Sequence, residues 1–211
     1  MFDVGVKAGT TTEKETIMAG RKLIANVTLS IDGFSAGPNG DMSWLVEHSV
    51  HDQMTTYFAG VWSGADTVLL GRNNYEGFHG FWPSVAADPN GVGRAYDMAV
   101  WLDRVEKVVF STTLTDAPWQ NSRVVKEDLE GEVRALKAAA GRDIIVLSSA
   151  SVIRALLKAD LVDELRVHLT PAILGEGLRF FGDGIPASAW VLDGANTMAT
   201  GSVSLTYRRT R

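Results

Sequence analysis

The stretch "DIIVLSSASVIRALLKADLVDELRVHLT", Asp143 to Thr170, does most to limit what this chain can become. An apolar run of strand length comes first. A segment with Val152, Ile153, Leu156 and Leu157 on one helical face follows it. A second strand-like run then ends at Pro171. Strand–helix–strand units of this kind join parallel neighbours by a right-handed crossover. Parallel sheets need both faces covered by helices.

The alternation extends along most of the chain. Arg21–Ser30 reads as a buried first strand, and the glycine-rich "IDGFSAGPNGDMSW" as a long loop. Val50, Met54, Tyr57, Phe58 and Val61 recur at helical spacing, with Ser49 as N-cap. "DTVLLG" predicts a strand ending on Gly71, and "RNNYEGFHGFWPS" a polar and aromatic loop. Tyr96–Leu102 predicts a helix, "EKVVFS" and "SRVV" two strands, and Leu129, Val133 and Leu136 a helix stopped by Gly141. Ala189–Met198 and Ser202–Arg208 predict an antiparallel hairpin, in which Val203, Leu205 and Tyr207 alternate with Ser204, Thr206 and Arg208. The expectation is an α/β domain over residues 21–211, with about eight strands and four helices. Residues 1–20, polar and Thr-rich, are expected to be a flexible extension.

Composition removes several classes of function. Twenty basic against twenty-five acidic residues give a net charge of -5, which argues against nucleic acid or an anionic membrane as partner. The chain has no cysteine, so disulfides and thiolate metal sites are excluded and a cytoplasmic home is expected. No apolar run approaches the roughly 18 residues of a membrane span.

In open α/β sheets ligands sit outside the carboxyl ends of the strands. Three strand ends here carry backbone donors and small or hydroxylated side chains: Gly71-Arg72-Asn73, Ser111-Thr112-Thr113, and Ser148-Ser149-Ala150-Ser151. N–H groups at a helix start, hydroxyls and one Arg are the set a phosphate needs. Taken singly, Ser149 is an N-cap, Arg72 a solvated side chain and the Ser/Thr pairs turn formers. Taken together at corresponding ends of one sheet, they point to a site.

The usual fingerprints are missing. There is no G-x-G-x-x-G after a strand, no G-x-x-x-x-G-K-[ST], no H-E-x-x-H and no G-x-S-x-G. His48 and His51 lack a third ligand, so no metal is expected. Asp32 in an Asp-Gly turn and Asp52 in a helix's first turn have structural explanations; Glu47 is the third acidic candidate. Trp44, Tyr75, Phe78, Phe81 and Trp82 either wall a flat heterocycle or close the core below the loops.

"LIANVTLSIDGFSAG", "ADTVLLGRNNYEGF", "KVVFSTTL" and "LVDELRVHLTPAILGEGLRFF" occur in the order and spacing of the dihydrofolate-reductase-like superfamily. Over about Arg21 to Arg208 the chain resembles most the reductase domain of bacterial riboflavin biosynthesis and its free-standing relatives. The resemblance implies a mostly parallel, eight-stranded sheet with a C-terminal antiparallel hairpin, helices on both faces, and an NADPH site. Gly71, Arg72 and Asn73 would meet the cofactor's phosphates, Ser111 and Thr112 the adenosine 2′-phosphate, and Ser148, Ser149, Ala150, Ser151 and Val152 the pyrophosphate. The family usually has Gly-Gly where this chain has Ser148-Ser149.

Gly175 to Gly177 would lie near the cofactor or substrate. Asp32 and Trp44 would border the nicotinamide and the substrate, Glu47 and Asp52 are the candidates for a helix carboxylate at the substrate, and Asp32, or water it orients, would help to protonate the product. The zinc deaminase ligands of the bifunctional riboflavin enzymes are absent. The expected activity is NADPH-dependent hydride transfer to a C=N or C=O carbon of a small heterocyclic or sugar-linked substrate, such as 5-amino-6-(5-phosphoribosylamino)uracil, and the resemblance implies a homodimer. Two rivals remain: dihydrofolate reduction, and a non-catalytic ligand-binding protein that kept the fold.

Overall fold

The structure is a computed structural model that describes residues 20–45, 52–182 and 184–211. Ser49, His48, His51 and Glu47 lie outside the described residues, as does nearly all of the expected N-terminal extension. The described part holds ten strands, five α-helices and two short 3-10 turns.

The chain opens with β1 (Leu23–Ser30), which runs into the short β2 (Phe34–Ala36). Helix α1 (Asp52–Trp62) leads to β3 (Ala65–Gly71) and directly into α2 (Arg72–Ala86). Then come α3 (Arg94–Arg104), β4 (Glu106–Phe110), β5 (Ser122–Val125) and α4 (Leu129–Ala138). The strand–helix–strand unit of Asp143 to Thr170 is β6 (Asp143–Leu147), α5 (Ala150–Lys158) and β7 (Glu164–Thr170). Last come β8 (Leu178–Arg179), β9 (Trp190–Thr197) and β10 (Val203–Arg209).

Eight strands form one sheet in the order β5-β4-β3-β6-β1-β7-β10-β9. β5 through β7 are mutually parallel, and β10 runs antiparallel to both its neighbours. This matches the sheet and hairpin expected from the sequence. β2 and β8 make a separate two-stranded ribbon. Gly177 is fixed by this ribbon. Its φ is +132°, and a Cβ there would stand 2.2 Å from the Ala36 carbonyl oxygen.

Two apolar layers sandwich the sheet. On one side α5 buries Val152, Ile153 and Leu156 beside Val133 and Leu136 of α4, each large side chain contributing about 1.5–3 kcal/mol. On the other, Val61 and Trp62 of α1, Tyr75 of α2 and Leu102 of α3 pack on Ile24, Val68, Leu70 and Ile145.

The α2 helix overturns the expectation of a loop over "RNNYEGFHGFWPS". Gly77, Gly80 and Pro83 disfavour a helix in isolation. Tyr75, Phe78 and Trp82, spaced three and four apart, nevertheless put aromatic area on the core, and packing outweighs propensity. The Tyr75 hydroxyl accepts from the Trp119 N–H at 3.0 Å, which anchors the helix. Gly141 does not end α4 either; the helix stops at Ala138, with Ala139 as its C-cap.

The faces of β1, β7 and β10 differ in character. Ala25, Val27 and Leu29 align with Leu165, Val167 and Leu169, and these with Tyr207, Leu205 and Val203. On the opposite face Asn26, Thr28 and Ser30 align with Arg166, His168 and Thr170, and Arg166 and His168 with Thr206 and Ser204. The hairpin is therefore not polar-outward: Ser204 is 1% exposed, and its Oγ lies 2.7 Å from His168 Nδ1. Helix α1 covers this polar face, with the Tyr57 and Phe58 rings 6.1 and 5.9 Å from the His168 ring.

Candidate functional site

β4, β3 and β6 are neighbours, and their carboxyl ends fall side by side at Phe110, Gly71 and Leu147. The turns that leave them enclose one cleft of about 1070 Å³. All three stretches singled out in the sequence line it: Gly71–Asn73, Ser111 and Thr112, and Ser148–Val152. Two helices, α2 and α5, begin at this cleft. The first N–H groups of a helix have no intrahelical acceptor, so both starts present donors and a positive dipole end to it.

The serine pair splits into two different roles. Ser148 has φ +49°, in the left-handed region where glycine is at home. Its backbone N–H still donates to the Asn26 carbonyl at 2.9 Å. Ser149 is 2% exposed. Its Oγ accepts from the Gly71 N–H at 3.0 Å and donates to the Leu147 carbonyl at 3.3 Å. Ser149 therefore stands at the N-cap position of α5 without capping it. Its hydroxyl instead locks the end of β3 to the end of β6. Asn74 Nδ2, bonded to the Leu147 carbonyl at 3.3 Å, makes a second tie of the same kind.

The Ser111 hydroxyl accepts from the N–H groups of Thr113 (3.2 Å) and Leu114 (2.9 Å). Both contacts shape the turn after β4, and the Ser111 and Thr113 hydroxyls share a further hydrogen bond at 3.4 Å. Arg72, Lys126 and Arg154 line the cleft, and none of them is in an ion pair among the described residues. A chain of net charge -5 thus has three uncommitted cations around one concavity.

Other expected site residues lie elsewhere. Asp32 is not among the cleft-lining residues. Its carboxylate accepts from Ser30 Oγ at 2.6 Å, from the Gly175 N–H at 2.7 Å and from the Leu174 N–H at 3.1 Å. The Ser30 hydroxyl, followed by those two N–H groups, holds its pKa at about 2. It is thus a carboxylate that braces the loop after β1 against the loop after β7, and it has no proton to give near neutrality. Gly175 is the other half of this brace, and also lies off the cleft. Trp44 is half-buried beside Met42 and Leu45, which do line the cleft. Asp52 begins α1, and its side chain, like Glu47, lies outside the described residues.

The sequence reading missed the end of β5. Lys126, Glu127 and Asp128 reach the same rim because β5 runs parallel beside β4. Applying the strand-end rule to "SRVV" would have found them. It also missed Thr28, on the polar face of β1, and Leu178 of β8, which form the far wall. Among the described residues no group of three or more His, Cys, Asp or Glu gathers to hold a metal. No described helix is long and apolar enough to cross a membrane.

The family model of the RibD C-terminal domain matches residues 21–204. The chain is 28% identical over 187 residues to the uncharacterized protein YyaP of Bacillus subtilis (strain 168), which spans 89% of this chain and 94% of that protein. Among solved structures it is similar to a putative riboflavin biosynthesis protein from Shewanella sp. PV-4. That match has a TM-score of 0.71 and 22% identity, and covers 90% of this chain and 99% of the other. It is also similar to a dihydrofolate reductase from Enterococcus faecalis complexed with NADP(H), with a TM-score of 0.60 and 16% identity over 90% of this chain and 97% of that one. The fold is dihydrofolate-reductase-like.

Proposed function

This chain belongs to the RibD C-terminal domain family, a reductase-like family, and we propose that it is an NADPH-dependent reductase acting on a C=N or C=O bond of a small heterocyclic or sugar-linked substrate. One observation carries the reading: the turns after β3, β4 and β6 all line a single cleft into which two helices begin.

The residues present fit a dinucleotide. The cleft volume of about 1070 Å³ lies just above the range of ordinary ligand pockets, roughly 300–1,000 Å³. The start of α5 offers the N–H groups of Ala150–Val152 to a pyrophosphate, and Arg72 a bidentate guanidinium. The backbone after β4, with the hydroxyls of Ser111 and Thr112 on the cleft wall, suits the adenosine end. Thr28, Met42, Leu45 and Leu178 border the part of the cleft left for the substrate.

The bound nicotinamide would supply the hydride. The protein's share is position: the Ser149 and Asn74 ties hold the two helix starts at a fixed separation, so little reorganisation accompanies binding. Asp32 braces the loop after β1 against the loop after β7 as a carboxylate, so a proton delivered with its help would come from water that it orients.

Titration with NADPH, followed by quenching of tryptophan fluorescence, tests the reading. Saturation in the micromolar range with oxidation of NADPH in the presence of a reducible pteridine or pyrimidine supports it. No binding at millimolar cofactor rejects it.

A further inference from the structure

The two ends of the cleft differ in charge. One end holds Arg72 at the start of α2, Lys126 after β5 and Arg154 on α5. The other is walled by Thr28, Ser35, Ala36, Met42, Leu45 and Leu178. Met42 and Leu178 are 44% and 48% exposed, so this wall offers uncovered apolar area. The Ser35 hydroxyl already donates to the Leu178 carbonyl at 3.2 Å. Thr28 is then the hydroxyl left for a ligand.

This second wall has no cation among the described residues. Residues 46–51, between Leu45 and α1, contain no Lys or Arg. Arg179 follows Leu178, but its guanidinium lies over the Phe34 ring at 4.7 Å and it does not line the cleft. The loop that carries Ala36 and Met42 instead bears two carboxylates. Asp32 is held ionised by its three donors. Asp41 accepts from the Ser43 N–H at 3.0 Å and the Ser43 hydroxyl at 2.9 Å, which lowers its pKa.

The cations of the first end are matched by the cofactor. NADPH brings about four negative charges, a phosphate monoester being roughly −1.5 to −2 near neutrality. Three side-chain cations and two helix starts, each worth about +0.5, come to about the same. Arg154 stands three and four residues after Ser151 and Ala150, so it shares the helix face that offers N–H groups to the pyrophosphate.

We propose that the substrate is an unphosphorylated flat heterocycle whose ring lies on Met42, Leu45 and Leu178, with Thr28 as its hydrogen-bonding partner. The inference rests on the reading of the cleft as an NADPH site, and narrows its heterocyclic or sugar-linked class to members without phosphate. A phosphate ester at this end would face two carboxylates and no cation, and a charge taken from water without a partner is costly. The substrate's C=N or C=O carbon takes up a hydride and its heteroatom a proton from water, as NADPH becomes NADP+.

The test is isothermal titration of the full chain, saturated with NADP+, using two pairs that differ only in a phosphate. One is 7,8-dihydroneopterin and its 3′-phosphate; the other is 5-amino-6-(5-phosphoribosylamino)uracil and its dephosphorylated form. The unphosphorylated member of a pair should bind at least about tenfold more tightly. Leu178→Arg should close that gap by placing a cation on the wall. Arg154→Ala should weaken NADPH and leave the gap as it was. Tighter binding of a phosphorylated member, binding of neither member of either pair, a gap unchanged in Leu178→Arg, or a gap that widens in Arg154→Ala overturns the proposal while the cofactor reading stands. A wild type that does not bind NADPH overturns both.

Discussion

Replacing the two adjacent serines one at a time should move stability in opposite directions. Ser148 holds φ +49°, and a left-handed conformation costs an L-residue roughly 1–2 kcal/mol. Glycine removes that cost but gives back about 0.4–1 kcal/mol through the greater freedom of the unfolded chain. Ser148→Gly should therefore stabilise by up to about 1.6 kcal/mol. Ser149→Ala strips the buried Gly71 N–H of its acceptor at 3.0 Å and should cost about 1–3 kcal/mol. For a chain of this size 1 kcal/mol is about 2–4 °C in Tm, so the two variants should melt several degrees apart, on either side of the wild type. Urea unfolding at unchanged m-value checks the sign. Ser148→Gly should also keep or tighten NADPH binding, since the strand-to-helix turn then needs no strain to hold its shape. Two variants that both destabilise would refute the assignment of strain to Ser148. Two that are both neutral would refute the Ser149 lock as well.

Arg72→Ala should weaken NADPH by about 1.5–3 kcal/mol, the worth of a charged hydrogen bond, measured by the same fluorescence titration. Gly177→Ala would force a Cβ to 2.2 Å from a backbone oxygen of Ala36; it should cost at least about 3 kcal/mol, and a melting temperature near that of the wild type would count against the ribbon. Lys107 is fully buried, with Nζ donating to the Leu102 and Val105 carbonyls at 2.6 and 2.9 Å, and burial lowers its pKa from 10.5 to about 8. Between those two values the unfolded chain holds a proton that the native one has released, so stability should rise with pH across that window; Lys107→Met should flatten the rise in urea unfolding. For Asp32, lowered from 3.8 to about 2, the sign is reversed: its contribution is present above pH 3.8 and is lost as pH falls through 2, and Asp32→Asn should remove that part of the acid transition.

The sheet was legible because its strands are apolar runs separated by helical periodicity, and the three glycine- and serine-bearing strand ends were legible as one site because parallel strands end on the same edge. What escaped reading depends on contacts between distant segments. Helix α2 hides behind Gly77, Gly80 and Pro83, and only the core position of Tyr75 reveals it. Lys126 joins the site through the pairing of β5 with β4, across an intervening loop. The task of Asp32 is set by N–H groups more than 140 residues further along. The polar face of β1, by contrast, was present as alternation in "NVTLS" and went unread because "LIA" before it is apolar on both faces.

The placement of β10 between β7 and β9 has a consequence for how the chain is made. β9 leaves the ribosome before the strand that will hold it. Until β10 follows, β7 keeps an open outer edge, with a row of unpaired N–H and C=O groups beside the polar face. Such an edge can template pairing with another nascent chain. A chaperone that shields this one edge during synthesis should therefore raise the yield of soluble protein more than one that binds the helices.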